Sequence, residues 1–225
     1  MAGLKTLSLT YNASGAVEGA RRSDVVVIVD IIDMSTSAEV AIENGAIAIF
    51  GAAPSGCKAP VNLNPDRIGY IAGKTALKYK VPLIIVAEPR YGTEDERKKR
   101  AEIALMGVTR SGDVSYQIIP NIGTEIAKLV DFRGKVVLII SDTGGVSFDA
   151  AYNNGAPVVL TATVTRTPDK KGIAPAMAGI ERAIEAANKF NCGITITAAS
   201  ANSMEDVLAA QYLTQLVINK GFLDI

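Results

Sequence analysis

The runs 25-VVVIV-29, 83-LIIV-86 and 136-VVLII-140 are continuously apolar and rich in β-branched residues. A strand with one face in water alternates apolar and polar side chains, so a strand without alternation has to be covered on both faces. Parallel strands joined by crossover helices meet that condition, and shorter apolar runs at 47–50, 158–160 and 193–197 fit the same plan. Helical periodicity is clearest over 37–43, 94–106, 174–189 and 204–219. The expected fold class is α/β, a three-layer α/β/α arrangement around a largely parallel or mixed sheet. At 225 residues the chain is long enough for a sizeable core, and residues 1–225 are expected to form one domain.

A faint internal repeat sharpens this plan. Strand, polar loop, short helix, Asn-Gly-Ala and strand follow one another from Val25 to Phe50 and again from Val136 to Leu160, with the Asn-Gly-Ala units at Asn44 and Asn154. In each unit Gly supplies the positive φ that closes a helix, and Ala begins the turn into the next strand. Two βαβ units built alike are expected to bring two polar strand exits to one edge of one sheet, where open α/β folds bind ligands. The stretch 51-GAAPSGCKAPVNLNP-65, rich in Gly, Pro and Asn, reads as a long loop over that edge.

Composition removes several kinds of chemistry. There is no histidine, which excludes Ser-His-Asp and Cys-His triads, phosphohistidine and His-ligated zinc. Carboxylate, hydroxyl, Lys, Arg and Tyr chemistry remains, and carboxylates suit a hard cation such as Mg²⁺. Twenty-three basic residues balance 23 acidic ones, so no overall field points to nucleic acid or to an anionic membrane. A small anionic substrate is the favoured partner, and the sequence leaves a homo-oligomer open. Cys57 and Cys192 are far apart and form no CxxC, which fits a reducing cytoplasm. No apolar run reaches the roughly 18 residues that span a bilayer.

Four segments are candidates for chemistry. In 30-DIIDMSTS-37, two carboxylates and three hydroxyls follow a buried strand, as ligands or as a helix start. In 141-SDTGG-145, two glycines let the backbone approach a ligand before a helix, forming either an anion site or an ordinary tight turn with Asp142 or Ser147 as cap. Glu88 and Arg90 follow the strand at 83–86 directly. The segment 203-SMED-206 has a capping pattern that gives Asp206 a structural role without catalysis. By contrast, 69-GYIAGKT-75 is one residue short of a P-loop and follows no clear strand. The Asp30 and Asp33 pair is D-x-x-D, not the D-x-D of haloacid dehalogenases. The cluster 94-EDERKKR-100 reads as a solvated helix face.

Taken together, 26-VVIVDIIDMSTSAEVAIENGA-46, 84-IIVAEPR-90, 134-GKVVLIISDTGGVSFDAA-151, 172-GIAPAMAGIERAIEAA-187 and 203-SMEDVLAAQ-211 resemble, in order, segments of the 2-phosphosulfolactate phosphatase family. These are Mg²⁺-dependent acid phosphatases of coenzyme M biosynthesis. The resemblance implies hydrolysis of a small acidic phosphoester, with phosphosulfolactate as the family substrate. It implies catalysis by Asp30 and Glu205, metal binding by Asp30 and Asp206, and substrate binding by Ser35, Thr36, Arg90, Thr143, Gly144 and Gly145, and Asp33, which departs from the family pattern, is expected to add a further carboxylate to the metal. Two family arginines are replaced, by Asp33 and Val146, and Arg90 and Arg166 are the candidates to compensate. The alternative is a non-catalytic relative that binds a small anionic metabolite. As a strand-exit acid, Asp30 is expected to contribute little to packing.

Overall fold

The computed structural model describes residues 5–223. The chain runs β1 (Leu7–Tyr11), α1 (Asn12–Arg21), β2 (Val25–Val29), α2 (Met34–Glu43), β3 (Ala48–Ala52), α3 (Pro65–Tyr79), β4 (Leu83–Ala87) and α4 (Glu94–Ser111). It continues through β5 (Tyr116–Pro120), a 3-10 helix (Gly123–Lys128), β6 (Val136–Ile140), α5 (Gly144–Asn153), β7 (Val159–Thr161), α6 (Ala174–Phe190), β8 (Ile194–Ala198) and α7 (Met204–Asn219). The architecture is the expected three-layer α/β/α with parallel strands. The strands form two four-stranded sheets, ordered β1-β8-β2-β7 and β3-β6-β4-β5, with every pairing parallel.

The division into two sheets follows from the repeat. The unit β2-α2-β3 carries the chain from the first sheet to the second, and β6-α5-β7 carries it back. The two Asn-Gly-Ala turns are built alike: Asn44 and Asn154 each close a helix, with side-chain amides donating to Val40 O and Ala150 O. Gly45 and Gly155 follow at φ 85° and 90°. The two polar strand exits therefore meet from different sheets instead of lying on one edge of one sheet.

The continuously apolar strands are covered on both faces. Val26, Ile28, Ile84, Val86, Val137 and Ile139 share one core with α2 and α5. On the outer faces, Val25, Val27 and Val29 pack against α6 and α7, and Leu83, Ile85, Leu138 and Ile140 pack against α3 and α4. Five elements lie beyond the sequence reading: β1, α1, α3, β5 and the 3-10 helix. β1 (LSLTY) is a half-exposed edge strand with alternating pattern, preceding α1. β5 is likewise a partly exposed edge. The segment 69-GYIAGKT-75 lies within α3, whose backbone amides are already committed to the helix. Among the described residues no helix is long and apolar enough to cross a membrane.

The pairing of α3 with α4 depends on two glycines. A Cβ on Gly69 would lie 1.9 Å from Ala104 O, and one on Gly107 would lie 1.9 Å from Asp66 O, so the helix backbones touch directly. A methyl at either point has to push a backbone away, not a side-chain tip. Gly107→Ala is expected to lower stability by about 1–3 kcal/mol in equilibrium urea unfolding, whereas Lys98→Ala on the exposed face of α4 should change it by less than about 0.5.

Candidate functional site at the strand exits

The exits of β2 and β6 are joined through one carboxylate. Asp30, the residue after β2, is buried, and its Oδ2 accepts from Gly144 N (2.7 Å), Thr143 Oγ1 (3.0 Å) and Ser141 Oγ (3.1 Å) at the start of α5. Its Oδ1 accepts from Asp33 N at 3.3 Å. Gly144 is required sterically, because a Cβ there would lie 2.3 Å from Asp30 Oδ2. Gly145 is packed against Ala52 O in the same way. The anion site expected at 141–145 is real in its geometry, but Asp30 of the same chain occupies the Gly144 amide.

The hydroxyls of the Ser-Thr-Ser segment have work within the fold. Ser35 Oγ accepts from Asp30 N and donates to Ile28 O, both at 2.9 Å, which locks the strand-to-helix corner. Thr36 Oγ1 donates to Ile31 O and contacts Thr163 Oγ1. Both residues are buried. The structure thus gives Ser35 and Thr36 corner-forming contacts in place of the substrate contacts that the resemblance assigns. It also explains why α2 begins at Met34, three residues ahead of the periodic pattern.

A second group of acids gathers around this tether. Asp33 sits at the N-cap of α2, 3.7 Å from Arg90, whose Nη2 also donates to Ile32 O. Glu88, just past β4, is 12 % exposed and 3.7 Å from Arg100, which also pairs with the open carboxylate of Asp142. Burial, reinforced by the charges of Asp33, Asp142 and Asp30, pushes Glu88 up to about 8. Burial and then the Asp30 charge push Asp33 up to about 6, against the pull of Arg90. On the far side, Asp206 Oδ1 accepts from Ile31 N at 2.8 Å, and its amide is capped by Ser203. Burial raises Asp206 to about 6 as well. Glu205 is exposed on the first turn of α7, so the acid that this helix brings to the strand exits is Asp206.

Beside the tether lies a cleft of about 320 Å³ between the start of α1, the start of α5, the exit of β8 and the 53–64 loop. Asn12, Ser14, Lys58, Asp142, Thr143, Ser147 and Ser200 line it. The loop is held over the cleft by buried Asp149, which accepts from Ala53 N and Asn64 N at its two ends. Ser147 is fully buried and its Oγ has no hydrogen-bond partner in the protein, a costly state for a hydroxyl unless something in the cleft accepts from it. Lys58 is the cation on this wall. Arg166 sits exposed on the loop after β7. Asn12 and Ser14 lie beyond the sequence reading because β1 and its turn are, although the alternation of LSLTY carries that signal, and Ser200 follows an expected strand without any motif to mark it.

The Mg²⁺ implied by the resemblance was expected on Asp30, Asp33 and Asp206. Among the described residues no group of three or more Cys, Asp or Glu side chains is arranged to hold a metal ion. Asp30 Oδ2 already accepts three hydrogen bonds, Asp206 Oδ1 holds Ile31 N, and Asp33 faces Arg90. The three carboxylates therefore do not form the expected ligand set.

Neither family models nor curated proteins match this chain, so its chemistry rests on the side chains themselves, and two of them make measurable claims. Removing the Asp30 charge weakens three bonds between the two sheets; Asp30→Asn is expected to cost about 2–4 kcal/mol in urea unfolding. This reverses the expectation that a strand-exit acid adds little. Glu88 keeps its proton to about 8 in the folded chain, against an ordinary value of 4.5. Across that window the folded state binds more protons than the unfolded one, so stability falls as pH rises and levels off above about 8. Glu88→Gln removes that slope. Its advantage over wild type in thermal midpoint should be small near pH 4.5 and grow towards pH 8.

Proposed function

We propose that the chain is a hydrolase acting on a small acidic phosphoester, with the cleft beside Asp30 as its substrate site. The observation that carries this reading is the meeting, at Asp142, of a polar cleft wall with the half-buried acid Glu88, to which Arg100 joins it. On the wall, the unpartnered Ser147 hydroxyl donates to a bound oxyanion, Lys58 supplies a positive charge, and Ser14, Ser200 and Asn12 offer further polar contacts. Asp142 faces the same cleft with a largely open carboxylate and is linked to Glu88 through Arg100. A carboxyl that stays protonated near neutral pH, as Glu88 does, is suited to donate to a departing alkoxide. The family resemblance supplies the substrate class.

The second reading, a non-catalytic relative that binds an anionic metabolite, is favoured by the occupation of Asp30. An acid engaged by three donors is poorly available as a base or metal ligand.

A screen of small phosphorylated carboxylates and sulfonates, with and without Mg²⁺, separates the two. Phosphate release that falls by about 100-fold or more in Asp142→Asn supports the hydrolase. Calorimetric binding of the same compounds without phosphate release supports the binder. In either case Ser147→Ala is expected to weaken inorganic phosphate binding about 5- to 10-fold, the loss of one hydrogen bond to a charged group. Unchanged affinity in that variant would move the anion away from α5.

A further inference from the structure

The helices that cover the outer faces obey the usual rule, with one exception. α4 presents Asp95, Lys98, Lys99 and Glu102 to solvent, and α6 presents Glu181, Glu185 and Lys189. α7 carries no charged residue between Asp206 and Lys220. Its exposed side chains are Glu205 on the first turn, and Met204, Leu208, Gln211, Tyr212, Gln215, Ile218 and Asn219, which recur at helical spacing along one face. Met204, Leu208 and Tyr212 are 66, 55 and 43 % exposed. An outer helix with an apolar ridge and no charge along it is a helix that another surface covers.

We propose that this face is a homodimer interface, in which two copies pack their α7 helices antiparallel about Tyr212. The charges at the helix ends argue for a second copy. Antiparallel packing centred between Tyr212 and Leu213 sets Glu205 of one copy against Lys220 of the other, twice over, and aligns opposite helix-dipole ends. Lys220 already bonds Glu181 at 2.9 Å, and its ammonium has donors to spare. The polar groups on the ridge are Gln211, Gln215 and Asn219. Each amide both donates and accepts, so each can pair with its own kind across a two-fold axis. A membrane surface is the poorer fit, because interfacial helices flank their apolar face with Lys and Arg.

Sedimentation of the full chain over a concentration series is expected to show a monomer–dimer equilibrium. Leu208→Glu should raise its dissociation constant by about 10-fold or more while leaving in place the unfolding midpoint measured at concentrations where both proteins are monomeric. Under oxidising conditions Tyr212→Cys should form a disulfide-linked dimer, because the two Cα atoms lie near the axis, whereas Met204→Cys should not. A wild-type chain that stays monomeric to about 100 μM overturns the proposal, whether or not it then binds vesicles or another protein. So does a dimer indifferent to Leu208→Glu, or one that cross-links through Met204→Cys and not through Tyr212→Cys.

Discussion

The carboxylate of Asp30 holds the two sheets in register. It is charged, buried and met by three donors from the opposite strand exit, and charge-assisted bonds of this kind are about twice as strong as neutral ones. Asp30 and Ser141 occupy the same position in the two repeats, one residue past an apolar strand, and they bond to each other. The chain has thus placed an acceptor in one copy of its repeat and donors in the other. The close approach works only because position 144 has no side chain.

This tether shapes the chemistry around it. Asp30 fills the amide site at the start of α5 from within, and further along the helix the Ser147 hydroxyl is unpartnered. Its fixed negative charge also acts on Asp33, Glu88 and Asp206, all of which hold protons above the ordinary carboxylate range. Arg90 and Arg100 offset this accumulation only in part. Acids crowded into a half-buried corner oppose folding above their raised pKa values, and such local conflicts tend to survive where a site uses them.

The helix α2 is gripped at both ends. Its start is fixed by Asp30 and Ser35, and further along Glu39, fully buried, pairs with Arg182 of α6 and with Lys170. Glu43 takes Lys170 and Thr167 as well. Paired and hydrogen-bonded in this way, a buried carboxylate is tolerated, whereas loss of either cation would leave it uncompensated. These ion pairs draw the loop after β7 against α2. The Thr36–Thr163 contact extends the same seam towards the strand exits.

The sequence by itself determined six of the eight strands, the burial of β2, β4 and β6 on both faces, the helices α2, α4, α6 and α7, and the glycine turns that end α2 and α5. Each follows from a local period or a local φ requirement, which neighbouring residues state completely. It also marked Asp30, Glu88 and Asp142 as strand-exit acids, because an acid after an apolar run is visible without knowing what lies opposite. Only the tertiary structure decided what these groups do. That Asp30 is a tether, that Ser35 and Thr36 close a corner, that Asp206 and not Glu205 turns inward, and that Ser147 is left without a partner depend on which residues face each other across two sheets. Those partners lie more than a hundred residues apart in several cases, and a hydroxyl or carboxylate reads the same in sequence whether it meets a backbone amide, a ligand or water.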